Sequence, residues 1–178
     1  MGKDVVAVNE LLKNFLLIIA LALDGFAHAA EALAGAAWGS RKRAHFFAIL
    51  RVITFWSIVT AVILSLLFGL GGPLLVRTLT DLPQIIALAD EFIIWIIPLP
   101  LVSVGCFLLD GILIGTTQTK LMRNNMIFST LFVFLPLYHL LENSYANHGL
   151  WLAMWGFFIA RGIGLTIGFY QRFVKPAW

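Results

Sequence analysis

The chain has 178 residues, of which 61% are hydrophobic and 12% charged, with a formal net charge of +3. A soluble domain carries roughly 25% charged residues; with a mean hydropathy of +0.95 this chain has too little polar surface to face water, so its solvent is largely lipid. The single cysteine, Cys106, excludes an internal disulfide and any multi-cysteine metal site, and it reads as a small packing residue.

A membrane span needs about 20 consecutive apolar residues, and five segments meet that need. They predict an all-α, polytopic transmembrane bundle forming a single domain. The polar start MGKDVVAVNELLK leads into the first span, 11–37, with no cleavable signal peptide evident. The second, 46–70, is predicted to end at Gly71, Gly72 and Pro73. The third, 85–114, is long enough to tilt or bend, and Pro98 and Pro100 supply a cause for a kink. The fourth, 122–141, holds Pro136 near its end, and the fifth is 150–170. No soluble domain fits in the remaining loops.

Lys and Arg gather on the cytoplasmic side of membrane proteins. Arg41, Lys42 and Arg43 follow the first span, Lys120 and Arg123 the third, and Arg172 and Lys175 the fifth. With five spans these share one side. Asp81, Asp90, Glu91, Glu142 and Arg77 fall on the other. The expectation is therefore an N-terminus outside and a C-terminus inside. Trp38, Trp151 and Trp178 read as interface anchors, and Arg51, close to the basic loop, as a snorkelling side chain.

A charge near the bilayer centre costs about 2.5–3.5 kcal/mol even on a lenient scale, so buried ionisable groups face a partner or a cavity. At about 100° per residue, Asp24, His28 and Glu31 lie within roughly 60° of one another on the first helix. Glu10 shares their stripe, Asn14 lies beside it, and small residues such as Gly25, Ala27, Ala30 and Ala34 surround it. Small residues let helices approach closely or leave room for a ligand. At a rise of about 1.5 Å per residue, Asp24 sits near the midplane, and Asp110 and Arg161 at depths within reach of the same cavity. Arg161 is expected to pair with Asp24 or Glu31. His139 and His148 fall towards the outer interface. The motif LDG occurs at Leu23–Gly25 and again at Leu109–Gly111, a hint of an internal repeat.

An apolar cavity disfavours the charged form of a carboxylate, so such a group can take up a proton on one side and release it on the other. That is the chemistry of a proton-coupled transporter. A competing reading is a non-transporting membrane subunit that anchors a cofactor, with His28 and His139 as axial haem ligands, though their predicted depths differ. An intramembrane enzyme built on Ser57 or Ser65 lacks any nucleophile motif. The basic clusters fit the inner leaflet and do not call for nucleic acid.

The string ALDGFAHAAEALAG with the basic loop RKRA, then FGLGGPLLVRTLTDLP, LDGILIGTTQTKLMRN and NHGLWLAMWGFFIARG, resembles the DinF-type branch of the multidrug and toxic compound extrusion (MATE) transporters over residues 6–168. That family has twelve helices in two lobes of six. The resemblance implies that this chain corresponds to helices eight to twelve, most of the C-lobe, without the N-lobe and the seventh helix. It implies exchange of H⁺ or Na⁺ for an organic, usually cationic, small molecule across the bacterial inner membrane, with no cofactor. It further implies a fragment or half-transporter, inactive until an N-lobe or a second copy joins it. Asp110 matches the tenth-helix DG position near the C-lobe cation site, a candidate for Na⁺. Asp24, His28 and Glu31 match the DGFAHAAE motif of the eighth helix, and with Asp110 they form the expected substrate and cation site, Arg161 being its charge partner.

Overall fold

A computed structural model describes residues 2–175, and among them it contains only helices and their links. Six α-helices follow one another: α1 (Lys3–Gly39), α2 (Arg43–Leu79), α3 (Pro83–Phe92), α4 (Leu99–Gly115), α5 (Thr119–Phe128) and α6 (Leu135–Phe169). A 3₁₀ turn at Ile93–Trp95 precedes α4, and π-helical turns at Ser129–Phe134 and Tyr170–Val174 flank α6. The architecture is the expected all-α membrane bundle. Trp178, one of the expected interface anchors, lies outside the described residues.

The first two helices run longer than the apolar segments alone suggest. Each has 37 residues, about 55 Å of helix, against a hydrocarbon core of about 30 Å. The expected stop at Gly71–Pro73 does not occur: α2 continues through Pro73 to Leu79. A proline inside a membrane helix is tolerated where neighbours cover the freed backbone groups. At Gly72 a Cβ would collide with Ile93 at the start of the 3₁₀ turn.

The third span is broken as its prolines predict. Pro98 caps α4 and Pro100 lies in its first turn, and the two halves of this span meet at 55°. The fourth and fifth spans are the arms of one hairpin. Thr119–Val174 is a nearly continuous 56-residue helical stretch, which as a straight rod would measure about 84 Å. It turns back at Ala146, whose φ of 46° and ψ of −120° leave the helical region. Positive φ is costly for a residue with a Cβ. Asn125 on the outgoing arm donates to the Arg161 carbonyl at 2.9 Å, and the Phe134 and Phe157 rings meet across the pair.

The helices close around a core in which Phe15, Ile19, Leu23, Phe46, Leu99 and Phe173 are almost wholly buried. Small residues make the α1–α4 crossing tight. A Cβ at Gly111 would strike the backbone of Ala27, and one at Gly115 the backbone of Glu31. In lipid, where apolar surface alone gives no drive to associate, such close backbone contact is what holds helices together. Phe173 packs on Trp38 and Phe46, and Arg43 donates to the Val174 carbonyl at 3.2 Å. The chain's last described turn is thereby fastened to the α1–α2 link, and Arg41–Arg43, Arg172 and Lys175 gather at one end of the bundle.

Candidate functional site

The α1–α4 crossing opens into a cavity of about 240 Å³. Asp24, Ala27, His28 and Glu31 line it from α1, Phe107, Asp110, Gly111 and Ile114 from α4, Met122 from α5 and Arg161 from α6. Asp24, His28, Glu31, Asp110 and Arg161 therefore face one space. The cause is local. Gly111 and Gly115 bring α4 so close to α1 that the side chains one residue away, Asp110 among them, stand beside Asp24 and Glu31.

The charges pair in an unexpected way. Arg161 Nη2 donates to Asp110 Oδ2, not to Asp24 or Glu31, and this corrects the expectation from the sequence. Helical periodicity fixes the angle of Asp24 on its own helix but not which neighbour it meets. It is α4 that packs against both α1 and α6, so its carboxylate reaches the guanidinium first. The pair is sheltered, with the two side chains 12% and 15% exposed, and Arg161 also lies over the Phe157 ring at 5.8 Å. It is also incomplete, because Asp110 Oδ1 and Arg161 Nε are buried without a partner.

On α1 the picture is looser. His28 Nδ1 lies 3.7 Å from Glu31 Oε2, with side chains 78% and 41% exposed, too long for a hydrogen bond. Among the described residues Asp24, half-buried on the cavity wall, has neither a hydrogen-bond nor an ion-pair partner. Glu10 shares the stripe but is turned to Lys13 one helical turn away. The cavity thus holds three carboxylates against one guanidinium. No group of three or more His, Cys, Asp or Glu side chains among the described residues is placed to hold a metal ion. Cys106 is buried and its thiol donates to the Phe158 carbonyl at 3.1 Å. Ser57 donates to the Thr54 carbonyl at 3.0 Å.

A second polar cluster, not anticipated from the sequence, joins the opposite end of the bundle. Trp95 Nε1 donates to His148 Nδ1 at 2.9 Å, which leaves Nε2 to donate to Glu91 Oε1 at 3.1 Å. Trp155 Nε1 donates to the Trp95 carbonyl at 3.0 Å. Beside them Asn9 and Asn147 exchange amide hydrogen bonds of 2.7 and 3.1 Å. The signal available was the stretch NSYANHG, whose polar residues read as a loop; nothing in it names Asn9 or Trp95 as partners.

A multi-pass helical membrane protein with an ionisable cavity between its helices is the class that this fold and site define. The sequence matches the MatE family model over residues 1–140, and the chain belongs to that family. It is 38% identical over all of its 178 residues to DNA damage-inducible protein F of Escherichia coli (strain K12), and it spans 38% of that protein's length.

Proposed function

We propose that this chain serves as part of the C-terminal lobe of a cation-coupled efflux antiporter, in which an organic cation leaves the cell as H⁺ or Na⁺ enters. The observation that carries the reading is Asp24: a half-buried carboxylate on a cavity wall, with no partner among the described residues. A group that forms no bond at rest is free to exchange a proton for a cationic substrate. Proton and cation compete for the same negative charge, so binding one disfavours the other, and that competition couples the two fluxes. Arg161 already sits on Asp110, and its guanidinium opposes a Na⁺ ion there. This favours H⁺ as the coupling ion, with Asp24 and Glu31 as its carriers and His28 beside them.

The transport step needs a second surface. Asp24, His28 and Glu31 lie beside the buried stripe of α1, with the His28 and Glu31 side chains 78% and 41% exposed, and exposure of such groups to lipid costs several kcal/mol. An N-lobe, or a second copy of this chain, would cover that face. In the bacterial inner membrane the basic end would face the cytoplasm, with the N-terminus outside. The test is proton-dependent dye efflux from cells expressing this chain alone and together with a supplied N-lobe. Efflux is expected only in the second case, and Asp24→Asn should remove most of it, whereas His148→Ala at the far end should leave most of it. Robust efflux by the chain as an isolated monomer would overturn the two-surface reading.

A further inference from the structure

A groove of about 610 Å³ runs between α2 and α4 at the basic end, bordered by Phe169 of α6. Its α2 wall is one helical stripe from Phe47 to Ile58, and apart from Arg51 and Thr54 its lining carries no polar side chain. That stripe covers about 16 Å of helix, close to the depth of a single leaflet, about half of a 30 Å hydrocarbon core. On the α4 wall stands Gly105. Unlike Gly111 and Gly115 it makes no close contact, since a Cβ there would meet nothing within 4 Å. This glycine leaves space open.

Arg51 is exposed, about 12 Å along α2 from its start at Arg43. Among the described residues it has no hydrogen-bond or ion-pair partner. Arg43 differs: it is held by the Val174 carbonyl and lies over the Phe47 ring at 5.7 Å. An unpaired guanidinium at this depth extends its stem along apolar surface and brings its head towards the lipid phosphates.

We propose that the groove binds an anionic phospholipid, its acyl chain lying between α2 and α4 and its phosphate on Arg51. Arginine suits phosphate because its planar fork donates two parallel hydrogen bonds. Arg41, Lys42 and Arg43 at the same end add a field that favours a headgroup of net negative charge over a zwitterionic one. The groove's length and apolar lining require the chain as well as the phosphate, so free phosphate does not suffice. The efflux reading has no part in this assignment.

Native mass spectrometry of the purified chain in detergent tests it, with phosphatidylglycerol, phosphatidylcholine of identical acyl chains, and inorganic phosphate as probes. Preferential retention of phosphatidylglycerol is expected, with no adduct from phosphate alone. Arg51→Gln should weaken phosphatidylglycerol binding about fivefold and lower phosphatidylcholine binding as well, since both carry the phosphate that Arg51 holds, whereas Arg77→Gln at the opposite end of α2 should alter neither. Gly105→Leu should lower retention of both lipids by filling the chain's space; if that variant does not fold, the Arg51→Gln comparison still decides. Equal phosphatidylglycerol binding by wild type and Arg51→Gln would overturn the proposal. So would a photocrosslinker at position 105 that captures another polypeptide segment and no lipid.

Discussion

The two ends of the α1–α4 pair treat most of their polar residues in opposite ways, the exception being Trp151, one turn past His148, whose Nε1 is buried without a partner. Where α1, α3 and the hairpin turn meet, Asn9, Asn147, Glu91, His148, Trp95 and Trp155 all find partners within the chain. Around the cavity, Asp24 finds none, and Asp110 and Arg161 each keep one buried atom unbonded. A polar group buried in an apolar medium is costly unless it is satisfied. The first cluster therefore reads as a clasp that fixes the hairpin on α1 and α3. The second reads as a set of charges kept available.

The largest effect that tests this contrast lies at the one firm bond of the cavity. Arg161→Leu leaves the Asp110 carboxylate sheltered and uncompensated, and should destabilise the purified chain by about 3–5 kcal/mol. Neutralising Asp110 in the same background, as Asp110→Asn, should recover part of the loss in a thermal melt, while Asp24→Asn should not. Rescue by Asp24→Asn instead would move the ion pair back to α1 and dissolve the contrast.

At the clasp the expected effect is smaller. Asn147→Ala strands both polar atoms of the Asn9 amide, and the cost should be about 1–3 kcal/mol. The same melt should report it, and efflux by a complete transporter should fall only in proportion to folded protein. A variant with normal stability and no efflux would mean that this end takes part in the transport step.

Much of this arrangement was legible in the sequence, and the misses share a cause. Five apolar runs gave the class of fold, and Pro98 and Pro100 gave the break between α3 and α4, because both signals are local. The stripe of Asp24, His28 and Glu31 was legible because helical periodicity is local too. Pro73 misled, since whether a proline ends a helix depends on the neighbours that cover the freed carbonyl. The partner of Arg161 was beyond reach for the same reason. It is fixed by α4 packing against both α1 and α6, and those contacts are tertiary. Glu10 lay at the right angle for the cavity, but it stands about 21 Å before Asp24 along α1, where it pairs with Lys13. Asn9 and Asn147 are separated by most of the chain, and no local pattern links them.

The smallest expected change in stability is the most informative about function. Asp24→Asn keeps the size and shape of the side chain and breaks no bond, because among the described residues Asp24 makes none. Substitutions that disturb no packing, charge pair or cap usually stay within about 0.5 kcal/mol of neutral. The melt of Asp24→Asn should therefore match the wild type within that range. A conserved shape without the charge should still remove most proton-dependent efflux once the chain is combined with an N-lobe, because an amide neither takes up the proton nor attracts the cation. Normal stability together with lost efflux would separate Asp24 from every residue of the clasp, whose removal costs stability first. A strongly destabilised Asp24→Asn would show instead that the carboxylate is bonded in the folded chain, and the reading of an open, exchanging charge on α1 would fail with it.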